Sequence, residues 1–143
     1  MPVCPLARHV MAMPTTFQKI TTVLAVESLE PSIEFWQERL GFEVTVTVPH
    51  EDKLGFAILA KDGVEVMFQS VASILADLGA TTGEVNGRSA ALFIEVADID
   101  AIEKALAGYP IEMPRRQTFY GTTEIGVREP GGHFLVFAQR TGE

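Results

Sequence analysis

The chain carries one pattern twice. Val26-Glu27-Ser28-Leu29 matches Val96-Ala97-Asp98-Ile99, and Val66-Met67-Phe68-Gln69 matches Val136-Phe137-Ala138-Gln139, both at an offset of 70 positions. Each copy runs from an apolar strand, through a capped helix, to a strand ending in Gln. Two like modules in one chain pack about a pseudo-twofold axis, and the crevice between them is the natural place for a site.

Periodicity fills in the modules. Ile20 to Val26 reads as a strand. Ser28 is placed to cap a helix with Pro31 in its first turn, where a missing N–H costs nothing. Leu29, Ile33, Trp36 and Leu40 share a face, and Gly41 ends the helix. Phe42, Val44, Val46 and Val48 alternate with polar residues, as in a half-buried strand. Leu54 to Ala60 and Val64 to Gln69 follow, joined by a tight turn at Asp62-Gly63. Ala72 to Leu78 reads as a short connecting helix and Gly79 to Arg88 as a linker. In the second copy, Ala90 to Val96 is a strand. Asp98 caps a helix bearing Ile99, Ile102 and Leu106, which Gly108 stops. Ile111 to Met113 is a short strand, and Thr122 to Arg128 pairs with His133 to Gln139 around Glu129-Pro130-Gly131-Gly132. The expected fold is α+β: two pseudo-symmetric β-α-β-β-β modules forming a concave sheet pocket, with helices on the outer face. Residues 1–16 read as a flexible arm, with Met1, Met11 and Met13 as alternative starts. Residues 17–143 form one domain, made of module one (17–70), a linker (71–88) and module two (89–140).

Composition excludes several classes of function. The net charge of −8, from 19 acidic and 11 basic residues, argues against nucleic-acid binding. No apolar run reaches the roughly 18 residues of a membrane span. The lone Cys4 cannot form an internal disulfide, which suits a reducing cytoplasm. Nucleophile and phosphate-loop contexts are missing: Cys4 sits in the arm, Ser70, Ser73 and Ser89 lack an elbow, and Gly79, Gly83 and Gly87 do not join a strand to a helix. His50-Glu51-Asp52 reads as a solvated loop. Arg115-Arg116 reads as surface charge, with an anionic ligand as the alternative.

The sequence resembles the vicinal oxygen chelate superfamily of glyoxalases, ring-cleaving dioxygenases and bleomycin-resistance proteins. The likeness covers about residues 18–140. It rests on Val26-Glu27-Ser28-Leu29, Ser32 to Trp36, Leu40-Gly41-Phe42, Tyr120-Gly121, Glu124 and Val127 to His133. That family commonly reads Phe-Tyr before Leu-Gly-Phe, and Asp-Pro-Asp-Gly in the last turn. Here Trp36 replaces the Tyr, Glu129 the first Asp and Gly131 the second. Metal-dependent members place four ligands on the first and last strands of the two modules. The resemblance puts those positions on Thr21, Ala91, Val136 and Glu65, with Val66 as the one-residue alternative to Glu65. One carboxylate does not hold a catalytic metal, so no metal and no cofactor are expected. The resemblance also implies a homodimer that completes its pockets across two chains.

Strand alternation drafts the pocket wall. Thr21, Val23 and Ala25 share a face, as do Ala91, Phe93 and Glu95. Phe134, Val136 and Ala138 form another row, and Glu65, Met67 and Gln69 a fourth. Ile125 and Val127 read as core, which turns Glu124 and Arg128 the other way. The expected ligand-binding residues are Glu65, Met67, Gln69, Phe93, Glu95, Tyr120, Glu124, Phe134 and Val136. They would form an apolar, aromatic pocket with a few polar points. The favoured function is metal-independent binding of a small organic molecule, cationic or aromatic, as in the bleomycin-resistance branch. One alternative is a lyase or isomerase whose general base is Glu65, Glu95 or Glu124, with a pKa raised by the apolar pocket. Another is a non-catalytic regulatory or partner-binding module.

Overall fold

A computed structural model describes residues 18–78 and 90–141. The arm, the three candidate start methionines and the linker from Gly79 to Arg88 lie outside the described residues. The order is β1 (Val23–Val26), α1 (Leu29–Glu38), β2 (Glu43–His50), β3 (Lys53–Lys61), β4 (Val64–Ser70), α2 (Val71–Leu78), β5 (Ala91–Glu95), α3 (Ile99–Ala105), β6 (Met113–Gln117), β7 (Thr122–Arg128) and β8 (Phe134–Arg140). These strands form two four-stranded sheets, ordered β1-β4-β3-β2 and β5-β8-β7-β6. The two β-α-β-β-β modules are thus present, each with its first strand parallel to its last.

Local chemistry explains the helix ends. Gly41, at φ +79°, closes α1: its N–H donates to Gln37 O at 3.1 Å, and the Phe42 N–H donates to Trp36 O at 3.0 Å. This paired closure brings Phe42 against Trp36, with ring centroids 5.0 Å apart. Ser28 occupies the N-cap position, but its hydroxyl donates to Glu30 at 3.4 Å rather than capping the backbone. Asp98 does cap α3, accepting from the Asp100 and Ala101 N–H groups at 3.0 and 3.3 Å. The Asp62-Gly63 turn has positive φ at both residues, 54° and 79°, as the expected tight hairpin requires.

Two expectations are corrected. The short strand read at Ile111 to Met113 lies further on, as β6 over Met113–Gln117. Pro114 argues against a strand in sequence, but β6 is a sheet edge, and the pairing slips between Met113 and Arg116 around the proline. The second correction concerns the repeat. Leu24 lies opposite Phe68, whereas Ile94, its counterpart 70 positions on, lies opposite Phe137. The last strands therefore correspond at an offset of 69, and matching Gln69 to Gln139 pairs residues from opposite sheet faces. Gln139 instead accepts the Ile99 N–H at 2.7 Å, at the start of α3. Ser70 is its true counterpart, and Gln69 points the other way.

One apolar core spans both modules. Leu24, Val26, Phe35, Trp36, Leu59 and Phe68 join Ile99, Leu106, Ile125, Val127, Leu135 and Phe137. All these strand residues lie on the helix-facing side of their sheets. Polar ties cross the seam as well. His133 Nδ1 accepts the Ala90 N–H at 3.4 Å while Nε2 donates to Ala25 O at 2.6 Å, the two roles of a ring with its N–H on Nε2. Glu129 accepts from Trp36 Nε1 at 3.4 Å and from the His133 N–H at 3.3 Å. Arg39 donates to Ala105 O and Ala107 O at 3.2 and 2.9 Å, where α3 leaves its carbonyls unpaired.

Candidate functional site

The faces turned away from the helices carry the residues expected at the site. Register places Met67 opposite both Val23 and Ile58, and Gln69 opposite Ala25 and Phe56, on the open face of the first sheet. Glu65 lies on the same row. On the second sheet, Phe93 lies opposite Val136, Glu95 opposite Ala138, and Glu124 opposite both Ala138 and Arg116. Phe134 sits opposite Arg128 and Ala91. The alternation drafted from sequence therefore holds on every one of these strands. Within one chain, however, eight of the nine residues are divided between two separate sheets, and Tyr120 sits on the β6–β7 turn. Other clefts lie mostly away from these rows: one of about 710 Å³ between α1 and the end of α3, one of about 370 Å³ beside Leu106 and Ile125, and one of about 280 Å³ at the seam, lined by Trp36, Phe42 and Phe137. Of the nine expected residues only Glu95 lines one of them, the seam cleft, and Met67, Phe93, Phe134 and Val136 line none.

The second sheet carries the more developed surface. Phe134 lies across Gly126: a Cβ at position 126 would stand 2.6 Å from the Phe134 ring. The Arg128 guanidinium covers that ring at 5.3 Å from its centroid. Phe134 thus rests its far edge on a bare stretch of backbone, with a cation over one face. Phe93 beside it is half exposed, and Phe119 and Tyr120 extend the aromatic surface from the β6–β7 turn, their rings 5.2 Å apart.

Each expected carboxylate is already partnered. Lys19 donates to Glu65 at 3.0 Å, and Arg140 lies 3.3 Å from Glu95. Glu124 is fully buried and takes three donors: Thr122 Oγ1 at 2.7 Å, Tyr120 Oη at 2.8 Å and Arg116 at 3.1 Å. Burial alone would push its carboxyl up, but the bonds from Thr122, Tyr120 and Arg116 together outweigh it and hold the pKa below the ordinary carboxylate value. The expectation of a base with a raised pKa is therefore reversed at Glu124. Its cover is a single layer of half-exposed side chains, not deep core, which is why donors win over desolvation.

That lowered pKa fixes a pH dependence. A carboxyl whose folded pKa is depressed adds stability above its unfolded pKa, and that stability is lost as pH falls through the folded pKa. Glu124→Gln is expected to lower the thermal midpoint at neutral pH. The gap to the parent protein should close as pH falls below the ordinary carboxylate range. Unfolding followed by circular dichroism from neutral to acid pH checks this, and a gap that stays constant would contradict it.

The four positions that the resemblance links to metal offer no ligand set. Thr21, Ala91 and Val136 provide no carboxylate or imidazole, and the register makes Phe134, not Val136, the counterpart of Glu65. Among the described residues no three His, Cys, Asp or Glu side chains gather to hold an ion. No helix among them is long and apolar enough to cross a membrane.

Sequence reading missed Gly126, Lys19 and Arg140, put Arg128 on the open face without its place over Phe134, and split Arg116 from Glu124. A glycine inside a strand signals a close approach, so Gly126 was open to detection. Arg116 needed the register of β6, which Pro114 obscured. Its neighbour Arg115 turns to the helix side, bonding Asp100 at 2.7 Å and Glu103 at 2.8 Å.

The same architecture occurs in solved structures. TioX from Micromonospora sp. ML1 superposes with a TM-score of 0.70 at 18% identity, over 87% of this chain and 99% of that one. The bleomycin-binding protein from bleomycin-producing Streptomyces verticillus, complexed with copper(II)-bleomycin, gives 0.60 at 21% identity, over 90% and 99%. A lactoylglutathione lyase from Agrobacterium tumefaciens gives 0.69 at 11% identity, over 87% and 95%. At such identities the likeness shows the fold alone. No curated protein matches the chain significantly. The family model for the Glyoxalase/Bleomycin resistance protein/Dioxygenase superfamily matches residues 18–137, and the chain belongs to that superfamily.

Proposed function

We propose that this protein binds a small planar organic molecule without a metal, on the open face of the second sheet, in a cleft completed by a second copy of the chain. The observation that carries this reading is the Phe134 ring, its far edge against Gly126 and Arg128 over one face, flanked by Phe93 and Val136. A flat, immobile aromatic surface suits stacking. The carboxylates that a lyase or isomerase would use are occupied: Glu124 is held ionised by three donors, and Glu65 and Glu95 are ion-paired. Binding is thus favoured over general-base catalysis. The bleomycin-binding protein of the same fold, seen with its ligand, supports the same side.

The second copy is argued from exposed apolar surface. Val23, Val46 and Val48 on the first sheet are nearly half exposed or more, as are Phe93, Tyr120 and the fully exposed Phe119 on the second. Covering both open faces would remove a patch of a kind that soluble monomers rarely leave bare. Light scattering is expected to give twice the chain mass at micromolar concentration, and a monomer would remove the shared cleft from this reading. Calorimetric titration of a planar aromatic compound is expected to show affinity reduced about tenfold by Phe134→Ala, the worth of one good stack. Unchanged affinity would move the site off this face.

A further inference from the structure

We infer that this face selects a planar aromatic acid, a ligand of negative charge, and that Arg116 is the residue that reads the charge. The inference rests on the binding reading above and deepens it. It runs against the net charge of −8, which on its own suggests a cationic ligand.

Three of the four ion pairs made from the open faces are the reason. In these three the cation is the more exposed member. The side chains of Arg116 and Glu124 are 53% and 1% exposed, those of Arg140 and Glu95 64% and 54%, and those of Lys19 and Glu65 64% and 33%. In the fourth, Arg128 and Glu112, the two are equally exposed at 49%. In the Arg116 and Lys19 pairs the negative charge is tucked towards the sheet and the positive charge stands outward. A ligand arriving from solvent meets guanidinium and ammonium groups first.

The Arg116–Glu124 pair is the sharpest case. Glu124 is immobilised by Thr122 and Tyr120 as well as by Arg116. It works as an internal anchor and is not available to a ligand cation. Arg116 spends one nitrogen on it, with the guanidinium half in solvent. A carboxylate or phenolate on an aromatic ring stacked at Phe134 and Phe93 would complete that guanidinium with a charge-assisted bond. Arg140, opposite Thr122 on the neighbouring strand, lies on the same row and adds a second positive group. An ammonium on the same ring would find no free carboxylate, because Glu65, Glu95 and Glu124 are each paired.

The test uses three probes with one ring system: 2-naphthoate, 2-naphthamide and 2-naphthylmethylammonium. Each is titrated by calorimetry into the full chain in low salt. The order expected is naphthoate, then naphthamide, then the ammonium, with about tenfold between first and last, the scale of one charge-assisted bond. Arg116→Gln should bring naphthoate down to the naphthamide affinity and leave naphthamide unchanged. Arg116→Lys, which keeps the charge, should retain most of the preference. Arg140→Gln leaves the buried Glu124 bonds intact, so it should lower naphthoate affinity by a smaller factor even if Arg116→Gln folds poorly. An ammonium that binds as tightly as naphthoate would overturn the inference while leaving the binding reading in place. Naphthoate binding unchanged in both Arg116→Gln and Arg140→Gln would do the same. If none of the three probes binds, both the inference and the placement of the site on this face fail.

Discussion

Gly131→Ala is expected to destabilise the fold by about 3 kcal/mol, the upper range for overpacking a filled interior. A Cβ at position 131 would stand 2.5 Å from Glu129 Oε2 and 2.9 Å from Ser32 Oγ, and closer still to Val26 Cγ1. None of these is the loose end of a flexible chain, since Val26, Ser32 and Glu129 are all buried. The same crowding explains how this chain departs from the pattern it resembles. Glu129 is one carbon longer than the Asp common in that turn. Its extra length lets one oxygen accept from Trp36 Nε1 and the other from the His133 N–H. Its carboxylate fills the space that a side chain at 131 would need. Trp36, Glu129 and Gly131 therefore share one packed space, and a change at one bears on the other two. Glu129→Asp should relieve part of the Gly131→Ala clash. The double variant is expected to be about 1 kcal/mol more stable than the sum of the single effects predicts. Urea unfolding of the four proteins measures this, and strict additivity would mean that the residues do not share the space.

His133→Ala is expected to cost about 3 kcal/mol, because it removes a buried ring, leaves a void and strands two part-buried backbone groups. The ring joins Ala25 O in the first module to the Ala90 N–H in the second. Hydrogen exchange gives a local readout: the Ala90 amide should exchange much faster in the variant, while amides within β3 and β4 slow or speed only with global stability. Equal changes everywhere would mean that His133 is merely core and ties nothing in particular.

Much of this architecture could be read in the sequence, because period-two rows and helix punctuation are local signals. Asp98, Gly41 and Asp62-Gly63 each act within a few residues of themselves, and each does what its chemistry implied. Ser28 stands at the right position but gives its hydroxyl to Glu30, a side-chain competition that spacing alone does not reveal. The open-face rows could also be read, since alternation is strict in β4, β5 and β8. What was hidden depended on register between strands or on contacts between modules. One residue of slip matched Gln69 with Gln139, although they face opposite ways. Pro114 concealed the strand that brings Arg116 opposite Glu124. Trp36 and Glu129 meet across 93 residues, and nothing near either of them announces the other. Carboxylates read as polar points or general bases of the pocket are paired, because their Arg and Lys partners come from neighbouring strands or from the approach to β1.

The missing side chain at Gly126 has a consequence in time as well as in shape. A ring pressed on bare backbone and covered by Arg128 has already surrendered its rotational freedom before any ligand arrives. Little ordering is left to oppose complex formation. Among related complexes, such preorganisation shows mainly in how slowly they come apart and much less in how fast they form. If the proposed stacking on this face holds, Gly126 acts on ligand residence time although it presents no side-chain atom to touch the ligand.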